Sequence, residues 1–228
     1  MCYEKDKTMK IDLHVHTSEV SRCGKLSASE IAAIYKEKGY DAICITNHFS
    51  IPSAASMAKQ GKFDFVKAFD EGFELAKKEG EKVGLRVFKG YELRCNEADN
   101  DFLVYHMPNY LLENYKQLLA LPMRDFLTVL HQYGVKVYQA HPFRNGMRIG
   151  RPELLDGIEV YNAGNEAEWN ESARLLAEEK GIACIAGSDG HKIGSAGRAG
   201  IATKERLVNN DDLVRVLKSR EYKVFVNE

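Results

Sequence analysis

Lys10-Ile-Asp-Leu-His-Val-His-Thr17 is the stretch around which this chain is organised. Ile11, Leu13 and Val15 alternate with Asp12, His14 and His16, the period of two of a strand with one apolar and one polar face. His14 and His16 then project from the same side, close enough for both imidazoles to reach one cation. A solvated strand rarely carries two histidines so spaced, and a core strand rarely tolerates them. The pair is therefore a metal signal that the rest of the chain must decide.

Downstream, apolar strands alternate with amphipathic helices. Ser27 and Glu30 form a capping box, predicting a helix that ends at Gly39, and the run from Ala42 to Thr46 is an almost wholly apolar strand. Phe65, Phe69, Phe73 and Ala76 mark the core face of a helix over 64–78. Further strands are expected over 84–93, 102–105, 135–140, 157–161 and 182–186, with helices over 111–120, 124–133 and 165–180 between them. A short strand at 198–203, a helix at 211–219 and a strand at 222–226 close the pattern. Seven or so such units without a linker predict an α/β fold, a single closed barrel of parallel strands, and one domain over residues 1–228.

Composition narrows the function classes. The 228 residues are 44% hydrophobic and 29% charged, ordinary for a globular chain. A net charge of −1 offers no basic stripe for a phosphate backbone, so no long nucleic acid is expected as partner. Five cysteines without a CxxC spacing (Cys2, Cys23, Cys44, Cys95 and Cys184) read as reduced thiols and a cytoplasmic setting. The first ten residues are short and charged rather than a signal peptide, and no apolar run approaches the ~20 residues that span a bilayer. Oligomeric state leaves no mark in the sequence.

One regularity outweighs any single motif. His14 and His16, His48, Glu92, His106, His141, and Asp189 with His191 all fall at or just past the ends of expected strands. In an α/β barrel those ends converge on one face, where active sites are built. Neutral imidazole and carboxylate suit zinc, manganese or iron, and a site this rich has room for two or three ions. His131, in the middle of a helix, is given no role.

The chain resembles the PHP (polymerase and histidinol phosphatase) family of metal-dependent phosphoesterases. The resemblance is carried by Asp12-Leu-His-Val-His-Thr17, Ile45-Thr-Asn-His48, Gly90-Tyr-Glu92, Ala140-His-Pro-Phe-Arg144, Gly157-Ile-Glu-Val-Tyr-Asn162 and Gly187-Ser-Asp-Gly-His191, in the family's order over nearly the whole chain. It implies a distorted (β/α)7 barrel, two or three divalent ions of the zinc, manganese or iron group, and hydrolysis of a phosphate ester on a small metabolite or nucleotide by a metal-bridging hydroxide. Carried over residue by residue, it implies that His14, His16, Glu92 and Asp189 surround one ion. Glu92 would bridge to a second ion held by His141 and His106, and His48 and His191 would hold a third. Glu92 and Asp189 are thus the expected catalytic carboxylates. Arg144 is expected to grip the substrate phosphate through its planar fork, with Arg148, Arg198 and Lys192 as weaker candidates.

Two positions depart from the family's pattern. Cys23 stands where a further ligand to the third ion is expected, so that ligand is Cys23 as thiolate, Glu19 reaching in, or water. Asn47 replaces a common Asp and is expected to support its neighbour rather than bind metal. The loops 50–61, 95–101 and 144–151 are expected to set specificity, and Arg144, Arg148 and Arg151 in the last would suit more than one phosphate. Alternative readings are oligonucleotide trimming, or a metal-binding regulatory module without turnover. A C–N hydrolase of the amidohydrolase type also opens on HxH, but commonly has a lysine where this chain has Glu92.

Overall fold

A computed structural model describes residues 8–96 and 99–227; Cys2 lies outside them. The chain runs β1 (Met9–Val15), α1 (Ala28–Glu37), β2 (Ala42–Ile45), β3 (His48–Phe49), α2 (Ile51–Ala58), α3 (Phe65–Val83), β4 (Arg86–Lys89) and β5 (Tyr91–Leu93). It continues through β6 (Phe102–Val104), α4 (Asn109–Glu113), α5 (Tyr115–Leu119), α6 (Met123–Gln132), β7 (Tyr138–Gln139), β8 (Gly157–Asn162) and α7 (Ala167–Lys180). The last elements are β9 (Ala183–Gly187), β10 (Ala199–Thr203), α8 (Asn210–Ser219) and β11 (Lys223–Val226). Among the described residues no helix is long and apolar enough to cross a membrane.

Local chemistry sets the helix ends. The Ser27 hydroxyl accepts from the Glu30 amide while the Glu30 carboxylate accepts from the Ser27 amide, the reciprocal box that starts α1. Gly84 and Gly181 adopt the left-handed conformation that stops α3 and α7. The stretch 50–61, expected as a polar loop, instead contains α2: Ser50 caps it by accepting from the Ser53 amide, and Pro52 occupies its first turn, where no amide donor is needed.

The strands form a mixed α/β arrangement of two sheets, ordered β11-β10-β1-β2-β4 and β3-β5-β6-β7-β8-β9. No closed ring of strands is formed among the described residues, and the pairing is not the all-parallel one that the sequence predicts. Backbone breaks at Thr46-Asn47 and Gly90 part β2 from β3 and β4 from β5, although the Gly90 amide still donates to Ile45 O (2.8 Å) and the Glu92 amide to Asn47 O (3.2 Å). On the other side β1 meets the end of β9 through one parallel bridge, Val15 to Gly190, and through the Ser188 amide donating to Asp12 Oδ1 (3.0 Å). A Cβ on Gly187 would overlap the His14 side chain, so glycine lets these two strands lie side by side. Direction also departs from expectation: β6 is antiparallel to both β5 and β7, and β10 is antiparallel to β1.

The interior is apolar beneath the functional end. Ile11, Leu13, Cys44, Phe88, Leu103, Tyr105, Tyr138 and Ile185 pack together, joined by Leu213, Val216 and Leu217 of α8. Outside, α1 and α3 cover Val15, Ile43 and Ile45. A register shift between Asp12 and Val15 turns Val15 outward, away from Ile11 and Leu13. At ~25 cal/mol per Å² of apolar surface, this close-packed floor holds the strand ends rigid enough to carry a polar cluster.

Candidate metal centre

Seven side chains expected as ligands meet at one end of the fold. His14 and His16 come from the end of β1, His48 from β3, Glu92 from β5, His141 from just past β7, and Asp189 and His191 from just past β9. The His16 ring lies 5.0 Å from that of His14, 4.6 Å from His48 and 4.2 Å from His191, centroid to centroid. The two oxygens of Glu92 face different histidines: Oε1 is 3.3 Å from His14 Nε2 and 3.0 Å from His141 Nε2, while Oε2 is 3.5 Å from His16 Nε2 and 2.5 Å from His48 Nδ1. Asp189 Oδ1 is 3.5 Å from His14 Nε2, 3.3 Å from His16 Nε2 and 3.0 Å from His191 Nδ1.

His106 is not among them. It is exposed and lines a separate cleft of about 710 Å³ beside Lys136 and Arg215. The reason is strand direction: because β6 is antiparallel, its C-terminal end points away from the cluster and its N-terminal end points in. Asp101, just before β6, takes the position instead, with Oδ2 3.6 Å from His141 Nε2. The signal was in the loop length: only eight residues separate Leu93 from Phe102, too few for the crossover of a dozen or more that a parallel pair requires.

Glu159 in β8 completes the support. It is fully buried between Ile158 and Val160. Its Oε1 accepts from His14 Nδ1 (3.0 Å), and its Oε2 accepts from the His141 amide (2.8 Å) and from Asn162 Nδ2 (2.8 Å). His14 is thereby oriented with Nε2 toward Glu92 and Asp189. Asn47 does support work, as expected: its Oδ1 accepts from the Thr17 amide and from Ser21 Oγ, and Ser21 Oγ lies 3.3 Å from His16 Nδ1.

Electrostatics of the cluster are those of a site built around positive charge. Burial alone would keep His14 neutral, yet the carboxylates of Asp189, Glu159 and Glu92 hold its pKa well above the ordinary imidazole value. The surrounding imidazoles, led by His48 and His14 for Glu92 and by His14 for Asp189, outweigh burial and hold both carboxyls well below the usual range. His16, buried and facing His48, is pushed down to about 3 and stays a neutral donor of its lone pair. Five buried atoms here make no well-directed hydrogen bond: His14 Nε2, His16 Nε2, Glu92 Oε2, His141 Nδ1 and Asp189 Oδ1. Each such atom costs ~1–3 kcal/mol unless something satisfies it. Divalent ions do so with the imidazole and carboxylate ligands present, and the residues fit them. The ligand atoms fall into four groups with mutual separations within 4.8 Å, namely His14/His16/Glu92, His14/His141/Asp189, Glu92/Asp101/His141 and His16/His48/His191.

At the rim, Cys23 Sγ is 3.1 Å from His48 Nε2 and 2.9 Å from His191 Nε2. Those two histidines overcome partial burial and bring its thiol down to about 6. Glu19 turns away: its Oε1 accepts from the Ala28 amide at the start of α1 (2.9 Å). Arg144 donates to Asp189 Oδ2 (2.9 Å), Asn162 Oδ1 (2.7 Å) and Asn165 Oδ1 (2.8 Å). Arg94, absent from the sequence-based candidates, clasps Asp101 with two hydrogen bonds of 2.6 and 2.5 Å. These groups edge a cleft of about 530 Å³ above the cluster. Arg148, Arg151, Arg198 and Lys192 do not line it; Arg148 is exposed and meets its surroundings through its backbone carbonyl, and Arg198 through its backbone amide on Ser188 Oγ.

Comparison with known proteins supplies relatives for this arrangement. A family model described as PHP-associated matches residues 167–222, from α7 through α8. A two-domain protein from Bacteroides vulgatus ATCC 8482, containing a predicted PHP-like metal-dependent phosphoesterase, superposes with a TM-score of 0.69 at 20% identity over 97% of this chain. This chain spans 65% of that protein's length. PsfC from Pseudomonas syringae PB-5123 gives 0.64 at 18% identity, covering 97% of this chain and 92% of PsfC. A protein described as a candidate metal-dependent phosphoesterase, from Bifidobacterium adolescentis ATCC 15703, gives 0.58 at 18%, covering 92% of this chain and 96% of that one. At these identities the likeness is one of fold. Comparison with curated protein sequences finds no match.

Proposed function

We infer that this chain, of the PHP type in its fold and in the sequence of residues 167–222, is a metal-dependent phosphoesterase acting on a small phosphorylated metabolite or nucleotide. The observation that carries this reading is the convergence of four overlapping groups of buried or half-buried imidazoles and carboxylates beneath a cleft edged by Arg144 and Arg94. We take the two sheets as parts of one distorted seven-stranded barrel, interrupted at Gly90 and joined through Asp12 and Ser188, within a single domain. The free thiols of Cys23, Cys44 and Cys184 agree with a cytoplasmic protein.

His14, His16, Glu92 and Asp189 would hold one ion, and Glu92, Asp101 and His141 a second. His48 and His191, with His16 beside them, would hold a third. Ions of the zinc, manganese or iron group, when bound, supply an acidified water for attack at phosphorus and neutralise charge on the phosphoryl oxygens. Glu92, with each oxygen turned to different histidines, keeps neighbouring sites at a fixed spacing. Glu159 holds His14 in the tautomer whose Nε2 lone pair faces inward. Arg144 has its guanidinium fixed by two asparagines beside Asp189, and its remaining N–H groups can donate to a phosphoryl oxygen above the cluster.

The test is hydrolysis of an aryl phosphate and of short oligonucleotides by protein loaded in turn with manganese, zinc and iron(II), beside Asp189→Ala. Activity on the aryl ester that is removed by a chelator, restored by one of these ions and lost in the variant supports the reading. Activity that survives both the chelator and the substitution refutes it, and preference for oligonucleotides would turn the substrate class toward nucleic acid.

A further inference from the structure

We propose that Cys23 is a metal ligand, making the rim of the cluster a mixed sulfur and nitrogen compartment that takes a thiophilic divalent ion of the zinc class. The proposal rests on the metal-dependent reading above and assigns a different chemistry to one part of it. Two independent observations point to an ion. Cys23 Sγ stands 3.1 and 2.9 Å from the Nε2 atoms of His48 and His191, which approach it from two separate elements. Beneath them, His16 is fully buried with an unpartnered Nε2, and its ring stacks 4.2 Å from that of His191. Ligand atoms of His16, His48 and His191 lie within 4.8 Å of one another. Around tetrahedral zinc a sulfur and a nitrogen ligand sit ~3.5 Å apart, so a spread of about half an ångström around Cys23 admits the ion.

The thiol is brought here by backbone, not by chance rotation of an exposed side chain. The Lys25 amide donates to His191 O (2.7 Å), tying the Cys23 loop to the loop that carries one of its partners. Gly24 N donates to Ser21 O (2.9 Å), and a Cβ on Gly24 would come within 3.0 Å of that same carbonyl, so the turn is tight. Ser21 Oγ in turn accepts from the His48 amide (3.1 Å). The loop is thus pinned to both histidines that face the sulfur. The opposite side of the cluster offers Glu92, Asp101 and His141, a harder ligand set rich in oxygen. Soft and hard ligands at the two ends would sort ions by type.

Chelator-stripped protein is titrated with cobalt(II) under reducing, anaerobic conditions, reading bound cobalt per chain, the thiolate-to-cobalt charge-transfer absorption in the near ultraviolet, and alkylation of Cys23 by iodoacetamide located by peptide mass. Wild type should show the charge-transfer band and lose Cys23 alkylation as cobalt binds. Cys23→Ser should lose the band and one bound ion at equal free cobalt, whereas Cys23→Asp should recover the ion without the band. Superimposable spectra and stoichiometry for wild type and Cys23→Ser would overturn the proposal. The aryl phosphate assay with manganese separates that failure from failure of the phosphoesterase reading: activity there with no cobalt–thiolate band removes only the role of Cys23.

Discussion

Glu159→Gln isolates what the support of His14 contributes, because the amide keeps the shape of the carboxylate while removing its charge and turning one acceptor into a donor. In the structure both oxygens of Glu159 accept: one from His14 Nδ1, the other from the His141 amide and Asn162 Nδ2. Glutamine has one accepting oxygen. With that oxygen kept on the two N–H donors, its amino group faces His14 Nδ1 and forces the proton onto Nε2, where the lone pair for metal is needed. With the amide turned over, His14 keeps its tautomer but the amino group opposes two buried donors. Either way one charge-assisted hydrogen bond, worth ~1.5–3 kcal/mol, is lost or inverted in the metal-bound state. That range corresponds to roughly a 10–150-fold loss in affinity for the ion held by His14. The metal-free protein bears part of this cost as well, because Glu159 is one of the carboxylates that hold His14 protonated there. The expected outcome is a marked fall in affinity, measured by competition with a chromophoric chelator. Equal affinity for wild type and variant, both folded by circular dichroism, would refute the reasoning.

Three further outcomes follow from the geometry. Asp101→Asn should weaken the ion shared with Glu92 and His141 by about tenfold or more, while His106→Ala should leave metal stoichiometry and affinity unchanged; a loss in His106→Ala would reinstate it as a ligand. Asp12, wholly enclosed, has its carboxyl raised by burial from 3.8 to about 6, against hydrogen bonds from Ser188, His14 and Tyr35. A raised acid binds its proton better folded than unfolded, so its stabilising contribution is full below pH 3.8 and is lost as pH rises through about 6. At 1.36 kcal/mol per pKa unit this is about 3 kcal/mol, and urea denaturation of metal-free Asp12→Asn should gain on wild type by that order between pH 4 and 7; parallel pH profiles would count against it. Gly187→Ala would set a methyl into the His14 side chain and 2.8 Å from Glu159 Oε1, so calorimetry should find a loss of ~1–3 kcal/mol together with weakened metal binding.

Much of the site was legible because ligand residues at strand ends stand out against apolar strands. His14, His16, His48, Glu92, His141, Asp189 and His191 needed no tertiary knowledge beyond the rule that parallel strands share a functional end. The same rule misassigned His106, since the direction of a three-residue strand such as β6 is set by its partners and not by its own apolar pattern. Glu159 sat inside a quoted motif without a role, although a carboxylate between Ile158 and Val160 already implied a buried partner. Arg94 was invisible because its partner, Asp101, was not recognised. For the fold, alternation of strands and helices was readable, whereas the division into two sheets depends on backbone breaks at Gly90 and Thr46-Asn47 that no hydrophobic period records.

The bond between the Ser188 amide and Asp12 joins residues 176 positions apart. At ~5–20 residues per second, a ribosome takes roughly 9–35 s to pass from one to the other. Throughout that time one edge of the first strand stays unpaired, because its partner on that side, β10, comes still later. Assembly of the full cluster therefore belongs to the last moments of folding. A half-made chain instead carries an open strand edge of unpaired amides and carbonyls, which is the period in which a holding chaperone would matter to this protein.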